Sequence, residues 1–324
     1  MEKIKFIDLF CGIGGFRIAM DEVCKENDII LECTFSSEID PYCQDSYEAN
    51  FGERPFGDIT QINEKDIPDH DILFAGFPCQ PFSIIGQRQG FNDIRGTLFF
   101  DIARILNEKK PTAFILENVK QLVGHDKGKT LKIILSTLKD LGYNVQYAVL
   151  NALDYGLPQK RERVIIVGHR DPIFFSFPSP IRPFKPLSEI LEKNVDSKHF
   201  ASKYILNKRK DKHKSAYKLS IWHENKSGNI CSYPYSCALR AGASYNYLLV
   251  NGERRLTPRE MFRLQGFPDS FKIVVNDSQA RKQAGNAVPV HLVKAVMLKL
   301  LPFVAKSLDM ALVLRDYEVN YSKM

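Results

Sequence analysis

The residues best equipped for chemistry stand in a few short stretches of a 324-residue chain. Cys79 lies in Gly76-Phe77-Pro78-Cys79-Gln80-Pro81-Phe82-Ser83, a proline-flanked loop behind an apolar run. A thiolate in such a loop can reach substrate, whereas most lone cysteines are buried and inert, so Cys79 alone reads either way. Glu117-Asn118-Val119 ends another apolar run, and Gln159-Lys160-Arg161-Glu162-Arg163 precedes a further one. Singly, Glu117 reads as a salt-bridge partner, and Arg161 with Arg163 as a solvated pair. Together, a thiol, a carboxyl and two guanidiniums at neighbouring strand ends suit covalent catalysis.

A second constellation suits a ligand. Phe10-Cys11-Gly12-Ile13-Gly14-Gly15-Phe16 is a glycine turn behind the first apolar run. Glycines let the backbone turn tightly and approach a ligand, and the helix that follows offers its first amides to a negative group. The turn lacks the third glycine of a full dinucleotide fingerprint. Glu38, 23 residues beyond Gly15, stands where an acid can accept both hydroxyls of a ribose. Gly57-Asp58-Ile59 adds an acid that should end a third strand. Each acid alone reads as a surface carboxylate. Glycine turn, acid and acid at successive strand ends fit a cofactor with an adenosine part.

Such groups need a frame that gathers strand ends. Ile4–Phe10, Leu31–Asp40, His70–Gly76, Ala113–Val119, Tyr147–Ala152 and Arg163–His169 are short apolar runs with turn residues behind them. Helical patterns lie between several, notably Leu98–Glu108 and Thr130–Leu141. Strands alternating with helices predict a parallel, doubly wound α/β sheet, with ligands at the carboxyl ends of its strands.

The charge is uneven. Asp171–Pro258 carries 15 Lys/Arg against 7 Asp/Glu, a net +8, so the rest of this +7 chain is at −1. Phe174–Pro186 opens that stretch with repeated prolines, which break helix and sheet. Asn207–Lys214 is a basic run, read either as a solvated face or as a phosphate contact through Lys208, Arg209 and Lys210. A basic, aromatic-rich segment inside a near-neutral chain predicts a second domain that meets a polyanion. The composition, 44% hydrophobic and 26% charged, excludes a disordered or low-complexity chain. Seven cysteines without a Cys-x-x-Cys pair suggest neither a disulfide framework nor zinc, and a reducing cytosol is the simplest home. No apolar run is expected to approach the ~18–20 residues of a membrane helix. The start reads as mature and unexported.

The ordered set resembles that of the DNA (cytosine-5)-methyltransferases, of the short prokaryotic kind found in restriction–modification systems. The stretches that carry the resemblance are Asp8–Phe16, Ser37-Glu38, Gly57–Thr60, Gly76–Ser83, Arg95–Leu106, Glu117–Val119, Gln159–Val164, Arg254–Phe271 and Gln283–Val288. Pro-Cys-Gln behind a strand is the most specific of them. Cys11 stands where alanine is commoner, Ile39 where tryptophan often stacks on adenine, and Ala238-Leu239 where many relatives carry Thr-Leu.

The resemblance implies a Rossmann-like methyltransferase sheet over 1–175 and a smaller target-recognition domain over 176–258. Residues 259–324 would be a hinge and C-terminal return. It implies S-adenosyl-L-methionine as cofactor, held by Phe10, Gly12, Gly14, Gly15, Glu38 and Ile39. Asp58, Ile59, Pro78 and Leu98, with Asn286, Ala287 and Val288 from the return, complete that site. It implies double-stranded DNA as partner, contacted by Gln80, Ser83, Ile85, Arg95 and Arg240, with no metal, no membrane and a monomeric enzyme. Cys79 would add to carbon 6 of cytosine while Glu117 manages the proton at N3. Arg163 would grip O2, and Arg161 would support it and a nearby phosphate. Carbon 5 then takes the methyl group, and its proton leaves to water or hydroxide. The base must be extruded to reach this site, at a few kcal/mol, and the loop Ser83–Arg95 would close over it. An RNA cytosine-5 methyltransferase of the same superfamily shares most of these motifs. A dinucleotide oxidoreductase would need the missing glycine, and a dead DNA-binding relative would not need Cys79, Glu117, Arg161 and Arg163.

Overall fold

The computed structural model describes residues 3–78, 98–181 and 183–308. Strand β1 (Lys3–Leu9) leads through the glycine turn to α1 (Gly15–Glu26), then β2 (Ile30–Ser37), α2 (Pro41–Phe51) and β3 (Ile72–Gly76). Next come α3 (Leu98–Lys109), β4 (Ala113–Val119), α4 (Lys129–Asp140), β5 (Asn144–Asn151), β6 (Gln159–Lys160) and β7 (Glu162–His169). The local chemistry agrees with the boundaries. The Asp40 side chain accepts from Tyr42 N at 3.0 Å ahead of Pro41, and Gly52 in the left-handed region ends α2.

Six strands form one sheet in the order β2-β1-β3-β4-β7-β5. The first four are parallel, but β7 runs antiparallel to both β4 and β5, so the wholly parallel sheet expected from the sequence is corrected to a mixed one. Residues 152–161 join β5 to β7 through one short 3-10 turn and no α-helix, and a connection that short permits only antiparallel pairing. The reversal brings Arg163, at the start of β7, opposite Val119 at the end of β4. A second correction concerns the strand expected before Gly57-Asp58. Phe56 makes only an isolated bridge to Ser37.

Apolar residues cover both faces of the sheet. On one lie Phe99, Ile102 and Leu106 of α3 with Leu131, Ile134 and Leu138 of α4. On the other lie Ala19, Met20 and Val23 of α1 with Val293, Val296 and Leu300 of the last helix. That helix, α9 (Val290–Ser307), follows α7 (Pro258–Leu264) and α8 (Asp277–Asn286). The stretch Asp277–Ser307 is long and apolar enough to cross a membrane by composition, contrary to the expectation above. Eleven residues of α9 are buried in the protein core, and Lys294 is held between Glu22 and Glu26 of α1 at 3.0 and 2.7 Å, which accounts for its apolar character.

The basic segment has its own small frame. It holds α5 (Leu187–Ile190), α6 (Lys203–Lys212), β8 (Ile221–Glu224), β9 (Ile230–Tyr233), β10 (Ser236–Cys237) and β11 (Leu248–Val250). Strands β11-β8-β9 make an antiparallel sheet, while β10 pairs with β6 of the first part. The run Asn207–Lys214 is not a row of free cations. Arg209 is 2% exposed and donates to Glu224 Oε2 at 2.6 Å and to Asn246 O, and Lys210 pairs with Glu253 at 2.7 Å. Arg209→Ala should therefore lower stability by about 2 kcal/mol in urea unfolding. That is less than for a fully buried pair, because Glu224 keeps some solvent. Lys208→Ala should stay within about 0.5 kcal/mol. Equal effects would contradict this division.

Candidate active site

The carboxyl ends of β1, β2, β3, β4 and the start of β7 converge on one edge of the sheet. After Leu9 the backbone leaves the extended region at once: Phe10 has φ 55° and Gly12 φ 55°. Cys11 N donates to Ser37 O at 3.0 Å, pinning the turn to the end of β2. A Cβ on Gly14, whose φ is 80°, would lie 2.3 Å from the Phe51 ring. One on Gly15 would lie 2.6 Å from Val288 Cγ2, so the return segment can close on the turn only over glycine.

Glu38 is fixed by this turn. Its Oε2 accepts Gly12 N at 2.9 Å and its Oε1 accepts Asp40 N at 2.8 Å. Burial pushes its carboxyl above the usual range, with these amides opposing the shift. Ile39 beside it is 68% exposed, an apolar surface free to cover a ring. Glu38 N donates to Phe56 O at 2.8 Å, which lays residues 56–58 along the end of β2. Asp58 there accepts Thr60 N at 2.9 Å and remains exposed, while Ile59 is buried. Leu98 opens α3, and Val288 packs against Gly15 and within 3.7 Å of a Cβ placed on Gly76. Asn286 is exposed at the end of α8, with Ala287 as its cap.

The second half of the site is a charged pair. Glu117, at the end of β4, meets Arg163 Nε through Oε1 at 2.6 Å, and both side chains are nearly covered, at 10% and 12% exposure. Gly76 is the register partner of Glu117, and a Cβ there would sit 3.7 Å from Glu117 Oε2. Asn118 donates from Nδ2 to Phe77 O at 3.0 Å and accepts Val119 N at 2.8 Å, tying the end of β4 to the chain just ahead of Pro78. Cys79, Gln80, Ser83, Ile85 and Arg95 lie outside the described residues.

Arg161 requires a correction. It is 1% exposed, and its guanidinium donates to Leu239 O at 2.9 Å, Gly285 O at 3.0 Å and Ala287 O at 2.8 Å. Spent on carbonyls inside the protein, it is not placed to meet a phosphate. Arg240, by contrast, is exposed; its guanidinium lies 4.8 Å over the Tyr247 ring and its N donates to Tyr247 Oη at 2.9 Å.

Sequence reasoning missed three residues. Asn118 was quoted without a role. Gln159, fully buried, accepts Leu239 N at 2.9 Å and donates to Leu264 O at 2.9 Å, joining the two parts of the chain. Asp8 is fully buried on β1, with neither carboxyl oxygen hydrogen-bonded among the described residues. Burial holds its carboxyl well above the usual range, and Arg17 only partly offsets this. An acid in the middle of an apolar strand was the available signal.

A Rossmann-like sheet that gathers a glycine turn, a ribose-competent acid and a carboxyl–guanidinium pair at its strand ends is the frame of a methyltransferase. The sequence model of the C-5 cytosine-specific DNA methylase family matches residues 4–301, and the chain belongs to that family as a DNA cytosine-5 methyltransferase. It is 58% identical over 294 residues to the Type II methyltransferase M.NgoBI of Neisseria gonorrhoeae, covering 90% of this chain and 91% of that one. With the Type II methyltransferase M.HaeII of Haemophilus aegyptius it shares 56% over 299 residues, 91% and 92% of the two chains. Among solved structures, the S. pombe Dnmt2 methyltransferase superposes with a TM-score of 0.71 over 95% of this chain and 100% of that one. At 22% identity it speaks for the fold alone. The oxidoreductase reading falls with the family, and the RNA reading has less support than the DNA one.

Proposed function

We propose that the chain takes its methyl group from S-adenosyl-L-methionine and places it on a cytosine extruded from a specific duplex site. It would act as a monomer, its site being assembled from one chain, and by analogy with its Type II relatives it would protect host DNA from a partner endonuclease. The observation that carries this reading is the covered Glu117–Arg163 pair beside Gly76-Phe77-Pro78, the stretch that leads directly into Cys79.

The described residues fit the cofactor. The glycine turn gives a close backbone approach, and Glu38 keeps lone pairs for a ribose after two amide bonds. Ile39 offers an apolar cover, and Asn286 with Val288 would complete the wall. When bound, the cofactor supplies an electrophilic methyl group on a sulfonium.

Carbon 5 of cytosine is a weak nucleophile, so the chain must first load electrons onto the ring. The Cys79 thiolate adds to carbon 6, forming the S–C6 bond and pushing the electron pair toward C5 and N3. Glu117 hydrogen-bonds or protonates N3 and quenches the charge there. Arg163, already aligned on Glu117, holds O2 through its remaining N–H groups. As carbon 5 gains the methyl, the methyl–sulfur bond of the sulfonium would break. The carbon 5 proton then leaves to water or hydroxide, the C6–S bond breaks to return the Cys79 thiolate, and any proton given to N3 returns to Glu117. Residues 176–258 would choose the sequence, with Arg240 as a base or phosphate contact. Asp58 and Leu98 would border the cofactor.

Two experiments test the reading. Host DNA sequenced for 5-methylcytosine should show one short methylated word, and duplex carrying that word with 5-fluorocytosine at the target should, with S-adenosyl-L-methionine present, form a denaturation-stable complex. Cys79→Ser should abolish the complex, and its survival would remove Cys79 from the chemistry. For Glu38, Glu38→Ala should weaken cofactor binding by about 10- to 150-fold, from the loss of ~1.5–3 kcal/mol of charge-assisted hydrogen bonding. The ionised carboxylate is the better acceptor and its folded pKa is raised. Calorimetry should therefore show cofactor affinity beginning to fall, on acidification, at a higher pH than an ordinary carboxylate would give. Glu38→Gln should remove that acid limb. A limb that persists in Glu38→Gln belongs to another group.

A further inference from the structure

Arg161 connects two places that the proposed reaction must bring into agreement. One arm of its guanidinium, Nη1, donates to Leu239 O in the recognition segment, the residue before the exposed Arg240. The other, Nη2, donates to Gly285 O and Ala287 O, the carbonyls that flank Asn286 at the end of α8. The contact is built on both sides. Leu239 N is held by Gln159, and a Cβ on Gly285 would stand 2.4 Å from Ala241 N, so α8 and the recognition loop meet backbone to backbone. On its far side, α8 reaches the cofactor turn's neighbours. Lys282 pairs with Asp40 at 2.7 Å, and Gln283 donates to Tyr42 O at 2.8 Å. Asp40 N in turn holds Glu38.

The fork is expensive to place here. Burial and the neighbouring Arg163 both disfavour its charge, and its Nε has no partner among the described residues. A planar guanidinium with parallel donors can span separate carbonyls in fixed directions, which a lysine ammonium on a flexible stem does not reproduce.

We infer that Arg161 is a positioning residue that couples the recognition loop to the cofactor wall, so that DNA and cofactor each bind more tightly when the other is present. The inference rests on the cofactor and DNA sites proposed above. DNA fixing Leu239-Arg240 fixes the guanidinium, which fixes the carbonyls on either side of Asn286. The ligand that arrives first meets the ordering cost, and the second binds to a wall already set. Coupling of this kind is reciprocal, so one factor must describe both ligands.

The test uses the full chain, S-adenosylhomocysteine as the cofactor probe, and the duplex whose site host DNA sequencing identifies. Calorimetry of each ligand with and without the other should give the same tightening, on the order of tenfold, in both directions. In Arg161→Lys each binary affinity should change by less than about threefold while the coupling factor falls toward one. Hydrogen exchange on the wild-type chain gives an answer independent of whether the variant folds: DNA alone should slow exchange across 283–289 as well as 239–247. Protection confined to 239–247, or an undiminished coupling factor in Arg161→Lys, would overturn the bridge while leaving the functional reading intact. Failure of either binary complex to form would overturn that reading, and the bridge with it.

Discussion

The structure turns on one ion pair, Glu117 to Arg163, closed at 2.6 Å in a nearly covered site. Two charged groups stay together away from water only if both are aligned, because either one alone would be left desolvated. Their alignment needs β4 and β7 side by side and pointing opposite ways. Only then does the end of one strand meet the start of the other. The antiparallel reversal in an otherwise parallel sheet is thus the architectural condition for the site. Gly76, the register partner of Glu117 on β3, lies beside both Glu117 and Val288 at this edge.

From that edge the rest of the molecule can be read as support. Asn118 ties β4 to the chain ahead of Cys79, while Gln159 and Arg161 tie the β6–β7 junction to Leu239 and to α8. Buried polar side chains of this kind cost stability unless they are satisfied, and here they hold backbone segments from distant parts of the sequence. The chain that follows α8 reaches the glycine turn through Val288 on Gly15 and is braced behind by Lys294 on α1.

Much of this was legible in the residues. Apolar runs ending in turn residues located five of the six strands of the main sheet to within a few positions, and the sixth, β5, began three residues earlier than its apolar core. The glycine turn, Glu38, Glu117 and Arg163 could be picked out as candidates because their chemistry is local to the ends of strands. What escaped reading depends on pairing. Strand direction is set by a connection between β5 and β7 too short to hold an α-helix, and apolar runs look alike in either direction. Arg161 and Arg163 are two residues apart with the same side chain, yet one faces Glu117 and the other sinks among carbonyls. Arg209 sat in a run that looked solvated because its partners Glu224 and Asn246 are remote in sequence. Asp8 was hidden in an apolar strand.

The central claim is that Glu117 and Arg163 act on the cytosine ring as one unit. A double-mutant cycle on single-turnover methyl transfer tests it, using Glu117→Gln, Arg163→Ala and the double variant with saturating DNA and cofactor. Each single change should slow the chemical step by roughly 100-fold or more, and the double variant should be no slower than the slower single one. Rate losses that multiply in the double variant would show two independent groups and contradict the account.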